Sequence, residues 1–196
     1  TQITQLQFSK ICRFIKSNEE SLKDIRNIKI NLSPCELLET GYCEKLLSII
    51  RENGIPFSKI QFEITETTAT QYTQETFRFI NKLQEHGVGL CLDDFGTGYA
   101  NLSTVLSLPY SVVKIDRSLL QGICDSAKKA DFYKNLAEII KKQGFLIVAE
   151  GVETEQEARL LSEWKIDLFQ GYYFSKPLPS KEVIQKIRVN NLIDMH

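Results

Sequence analysis

Histidine is almost missing from this sequence. Its 196 residues hold two, His86 ahead of a helix-ending glycine and His196 at the terminus, and neither lies among other metal-binding side chains. The five cysteines, Cys12, Cys35, Cys43, Cys91 and Cys124, form no CxxC pair and no dense framework. That spacing argues against a structural zinc site and against a disulfide scaffold. The odd cysteine count predicts reduced thiols in a cytoplasmic setting, compatible with the cytoplasmic domain of a membrane-anchored parent protein. Neither sign of charge is in excess, with 24 basic and 25 acidic residues and a net charge of -1. No bulk attraction to a DNA or RNA polymer or to an anionic membrane is expected. There is no signal-peptide pattern and no long apolar run. No low-complexity linker divides the chain, so one domain over residues 1–196 is expected.

What the sequence does contain is a repeat of strand, short loop and helix. Alternating or continuous apolar runs predict strands over 28–32, 59–65, 88–93, 112–116, 145–150 and 166–170. Helical spacing predicts helices over 3–16, 35–52, 73–85, 101–107, 130–142, 154–164 and 180–187. Asn53-Gly54, His86-Gly87 and Gln143-Gly144 close three of them, and Thr154 with Glu157 has capping-box spacing. Crossover helices between successive strands imply a parallel sheet. Six strands suit either an open doubly wound sheet or six of the eight strands of a TIM-like (β/α) barrel. Acids, amides or a lysine stand at or near the end of every strand. In a barrel all those ends converge on one face, whereas in an open sheet only those at the switch point do. The barrel is the expected fold, short of its full strand number.

The chain is organised around Gly87–Ser103, GVGLCLDDFGTGYANLS, where a buried strand runs into two adjacent acids and a glycine-spaced loop. Adjacent strand residues face opposite ways, so Asp93 and Asp94 can share a site only if the strand bends or ends there. Otherwise one faces inward and the other caps the loop. Each further polar residue carries two readings. Asn31 is a turn residue before Ser33-Pro34 or a ligand. Glu63, flanked by Phe62 and Ile64, faces the barrel centre as half of a salt bridge or as a ligand. Glu66 is a loop acid or a cap. Lys114 pairs structurally with Asp116, or holds water and neutralises charge developing on a phosphate. Glu150 ends the most apolar strand, Glu153 caps the next helix or joins the site, and Gln170 ends the last strand. Together they form an oxygen-rich set that suits Mg²⁺ or Mn²⁺. Two such ions about 3.5–4 Å apart would suit in-line hydrolysis of a phosphodiester.

The stretches NLSP (31–34), FEITE (62–66), LDDFGTGY (92–99), KIDRS (114–118), AEGVET (149–154) and QGYYFSKPL (170–178) occur in the order of the EAL-domain family. The sequence resembles these cyclic di-GMP phosphodiesterases over nearly its whole length. The resemblance implies a modified eight-stranded β/α barrel whose third to eighth strands are those seen here. It implies metal ligation by Asn31, Glu63, Asp93, Asp94 and Asp116, with Glu150 as metal ligand or base. Lys114 would contact the hydrolytic water and the scissile phosphate region. Glu66 would steady the loop after the DDF motif, and Glu153 and Gln170 would support the metals and the water. The implied reaction opens cyclic di-GMP to linear pGpG with two divalent ions. The implied partners are a second copy of the chain, through the region after DDF, and an upstream sensory or regulatory domain. The Glu-Ala-Leu motif that names the family, whose glutamate is a metal ligand, is absent, as are the two strands expected before Thr1. The chain therefore reads as a fragment of a longer protein. A catalytically inactive cyclic di-GMP receptor or scaffold, and a different two-metal phosphohydrolase, are the competing readings.

Overall fold

The computed structural model describes residues 2–69, 73–98 and 109–193. Six strands carry the architecture: β1 (Ile28–Asn31), β2 (Ile60–Thr65), β3 (Gly89–Phe95), β4 (Val112–Ile115), β5 (Leu146–Glu150) and β6 (Leu168–Gln170). They lie side by side in chain order in one sheet, and every adjacent pair is parallel. A doubly wound sheet reverses its strand order at a switch point. This sheet never reverses. It is the curled wall of a (β/α) barrel with six of the eight strands.

Alternation along each strand separates two environments. Ile30, Phe62, Ile64, Leu90, Leu92, Val113, Ile115, Ile147 and Ala149 point outward and join the large core beneath the helices. Cys91, Val112 and Val148, with Leu146 against them, form a small separate cluster on the inner face. The helices over the outer face are α1 (Gln2–Ser17), α2 (Pro34–Leu37), α3 (Tyr42–Glu52), α4 (Glu66–Ala69), α5 (Gln74–Glu85), α6 (Arg117–Leu120), α7 (Ala127–Lys142), α8 (Glu155–Glu163) and α9 (Ser180–Ile193). Among the described residues, no helix is long and apolar enough to cross a membrane.

Several boundaries differ from the sequence reading for local reasons. The single helix expected over 35–52 is two, because Gly41 takes a left-handed φ of 76° just ahead of α3. Helix α2 is pinned by Glu36, whose carboxylate accepts from the Ser33 amide (2.7 Å) and the Tyr42 hydroxyl (2.6 Å). Helix α7 starts three residues before its expected beginning at Ala130, where the Lys129 amide donates to the Ser126 hydroxyl. Helix α9 runs on to Ile193 rather than stopping at residue 187. The one-turn helices α4 and α6 follow their strands directly and had no sequence counterpart. Thr154 and Glu157 do form a reciprocal cap on α8. The helix expected over 101–107, and Tyr99 of the glycine loop, lie outside the described residues.

Candidate active site

The C-terminal ends of the strands bring the acidic residues to one mouth, and β3 supplies its centre. Between Leu92 and Phe95 the β3–β4 register shifts: Leu92 pairs with Val113, but Phe95 pairs with Ile115. One extra residue on β3 is a β-bulge. Asp94 occupies it with a left-handed φ of 55°, a conformation that aspartate tolerates better than most residues. Asp93 therefore keeps the inward phase, Phe95 returns to the core, and the bulge leaves Asp94 beside Asp93 at the mouth. This answers the problem of two adjacent acids in one strand.

Opposite them, β4 presents Lys114. Its side chain is 4% exposed, and its ammonium lies 2.9 Å from Glu63 Oε1, 2.7 Å from Asp93 Oδ1 and 2.8 Å from Glu150 Oε1. Burial works against the charged lysine, but the surrounding carboxylates outweigh it and raise its pKa, so it stays protonated at neutral pH. Among the described residues, the ion pairs of Lys114 are with these three acids and not with Asp116, so of its two readings the structural Lys114–Asp116 pair is not formed. The Asp116 carboxylate instead accepts from the Ser118 amide at 2.8 Å and caps α6.

One lysine does not neutralise the mouth. Asp93, Asp94 and Glu150 each offer an oxygen, and these oxygens lie within 4.8 Å of one another. Burial and the charges of Asp93 and Asp116 raise the Asp94 pKa. Burial raises that of Glu150 although Lys114 pulls the other way, and Asp93 and Asp94 add to the rise. Asp93 Oδ1 is buried and faces the Lys114 ammonium at 2.7 Å. Crowded hard oxygens, with proton affinity raised at Asp94 and Glu150, fit a divalent cation.

The other predicted residues fall around this centre. Asn31, exposed at the end of β1, stands beside Glu63 in the register. Glu66 is buried behind the mouth, where its Oε2 accepts from the amides of Gly96 (2.7 Å) and Thr97 (3.2 Å). The Thr97 hydroxyl donates to the Asp94 carbonyl at 3.0 Å, so the glycine loop is tied to both acids. Glu153 lies outside the three-acid group and pairs with Arg117 at 2.8 Å. Gln170, exposed at the end of β6, lines a cleft of about 470 Å³ with Asp116, Arg117, Glu150, Glu153 and Lys176. Gly171 closes one side, and a Cβ there would collide with the Val152 carbonyl and amide. Sequence reasoning missed Lys29, 3.9 Å from Glu63 Oε1. Its position between Ile28 and Ile30 in an alternating strand was the available signal. It also missed Glu36, signalled by Ser33 three residues before it.

Parallel strands with acids and a lysine gathered at their C-terminal ends define a (β/α)-barrel protein with an oxygen-donor site. The chain belongs to the EAL domain family, which it matches over residues 1–177. It is 33% identical over 165 residues to the cyclic di-GMP phosphodiesterase PdeL of Escherichia coli strain K12, covering 84% of this chain and 46% of PdeL. It is 36% identical over 163 residues to the uncharacterized protein sll1895 of Synechocystis, covering 83% of this chain and 23% of that protein. The EAL domain of Mycobacterium smegmatis DcpA superposes with a TM-score of 0.85 at 31% identity, over 92% of this chain and 81% of that one. The manganese and cyclic di-GMP complex of Klebsiella pneumoniae BlrP1 superposes with a TM-score of 0.81 at 26% identity, over 91% and 45%. The chain thus spans less than half the length of these two curated relatives.

Proposed function

We propose that this chain forms most of a metal-dependent phosphodiesterase domain that opens cyclic di-GMP to linear pGpG in second-messenger signalling. The observation that carries the reading is the ring of Glu63, Asp93 and Glu150 around Lys114, with Asp94 completing a three-oxygen group. Asn31, Glu63, Asp93, Asp94, Asp116, Glu150 and Glu153 are the proposed holders of two Mg²⁺ or Mn²⁺ ions. Such ions lower the pKa of bound water and offset charge on a phosphoryl oxygen. The chain's own residues do the rest. Lys114, kept protonated by its acids, donates toward the water and the scissile phosphate region. Glu150 and Asp94, at the mouth beside Lys114, are the groups that would accept a proton from the water. Glu66 fixes the glycine loop beside Asp94, and Gln170 orients the water from the cleft wall.

The curated relatives that this chain matches are much longer, and we propose that the whole protein carries an upstream sensory or regulatory domain. We further place the domain in the cytoplasm and infer a homodimer through the region after the DDF motif. The alternative reading is a receptor or signalling scaffold that binds cyclic di-GMP without turnover. Incubation with cyclic di-GMP and Mn²⁺, followed by chromatography, separates the two. Appearance of pGpG supports the enzyme. Tight binding of intact cyclic di-GMP with no product supports the receptor.

A further inference from the structure

Lys29 belongs to none of the groups assigned above, yet it sits against the site. On β1, Ile28 and Ile30 pack against the core beneath the helices, so alternation sends Lys29 to the inner face. Its register partner there is Gln61. The ammonium lies 3.9 Å from Glu63 Oε1, the same oxygen that Lys114 reaches at 2.9 Å. Two cations thus share one carboxylate oxygen, and they are held very differently. Lys114 is 4% exposed and fixed by three acids. Lys29 is 23% exposed, beyond hydrogen-bonding distance of Glu63, and lines a cavity of about 340 Å³ with Arg26, Gln61 and Leu168. A lysine stem is long and flexible enough to withdraw its ammonium into such a space.

We propose that Lys29 is a positioning residue that acts through Glu63, a tethered counter-ion that must yield before a divalent cation settles on the Glu63 side of the mouth. The inference rests on the metal reading given above. The acids Glu63, Asp93, Asp94 and Glu150 outnumber Lys114 and Lys29, so the mouth still attracts cations, but each fixed ammonium weakens that attraction. Lys114 cannot leave without stranding the buried carboxylates of Glu63 and Asp93 and the partly buried one of Glu150. Lys29 can. It therefore sets how much free metal the site needs, neutralising Glu63 when metal is scarce and retreating to the cavity when metal is bound.

The test is Mn²⁺ binding, read by the loss of the free-ion electron paramagnetic resonance signal, with folding checked by circular dichroism. The parent chain is compared with Lys29→Gln, Lys29→Met, Lys29→Arg and Asp93→Asn. Both neutral variants should bind Mn²⁺ about tenfold more tightly than the parent, and Lys29→Arg should bind like the parent. Folded neutral variants with unchanged or weaker affinity overturn the inference, as does Lys29→Arg behaving like Lys29→Gln. The metal reading stands in those cases provided the parent binds Mn²⁺ and Asp93→Asn does not. A parent chain that binds no Mn²⁺ overturns both.

Discussion

Replacing Lys114 by methionine keeps most of the side-chain volume and removes a cation shared by the buried carboxylates of Glu63 and Asp93 and the partly buried one of Glu150. At 2.7–2.9 Å, each ion pair is worth roughly 6 kcal/mol of gross attraction at an effective dielectric of about 20. Most of that is offset by the desolvation of the ions, but removing one partner leaves the others uncompensated, at a net cost of about 3–5 kcal/mol. The metal-free Lys114→Met chain should lose stability of that size at pH 7. The loss should shrink as pH falls, because of the sign of the carboxyl shifts. The folded-state pKa values of Asp94 and Glu150 are raised, and without Lys114 that of Glu150 rises further. Between the unfolded and folded pKa values of such an acid, the native state binds more protons than the unfolded state. Stability there falls as pH rises and is recovered as pH falls. Urea unfolding in chelator at pH 7 and pH 5 measures both effects. A variant as stable as the parent at pH 7, or a deficit that grows on acidification, would mean that Lys114 does not hold these acids together.

Other perturbations reach separate parts of the structure. Glu66→Ala strands the amide of Gly96 and leaves that of Thr97 only the Asp94 carbonyl at 3.3 Å, so hydrogen exchange should accelerate, most at Gly96, and stability should drop by about 1–3 kcal/mol; unchanged protection at Gly96 counts against the anchoring role. Gly171→Ala drives a Cβ into the Val152 backbone, which cannot move aside as a side chain could, and should cost about 1–3 kcal/mol or more, seen as a lowered Tm. In the folded chain at pH 8, a thiol reagent should label exposed Cys35 first. Burial pushes the thiols of Cys12 and Cys43 up to about 11 and that of Cys91 up to about 12, so these three should react only on unfolding.

The sequence revealed most where local pattern and burial agree. An alternating strand such as 60–65 states which residues face the core, and the acid between two apolar neighbours, Glu63, states that the inner face is polar. The barrel could be preferred over an open sheet from polar strand ends alone, and the unreversed strand order then established it. Features that depend on one backbone angle were hidden. Nothing in LDDFG specifies that Asp94 takes a left-handed φ within a bulge, yet that angle is what puts both aspartates at the mouth. Long-range partnerships were equally hidden. Lys114 and Asp116, two apart on one strand, read as a pair, but three acids from β2, β3 and β5 reach the lysine first and leave Asp116 to cap α6. Lys29 was overlooked because its significance comes from Glu63 on the neighbouring strand rather than from any motif.

Isothermal titration of the chelator-treated chain with Mn²⁺, alongside Asp93→Asn, asks whether the mouth formed by Asp93, Asp94 and Glu150 takes up a divalent cation or is merely balanced by Lys114. Saturable Mn²⁺ binding to the parent chain and at least a tenfold loss of affinity in the variant are expected. Equal affinity in the two proteins, or no binding to a folded parent, would contradict a cation site at the mouth.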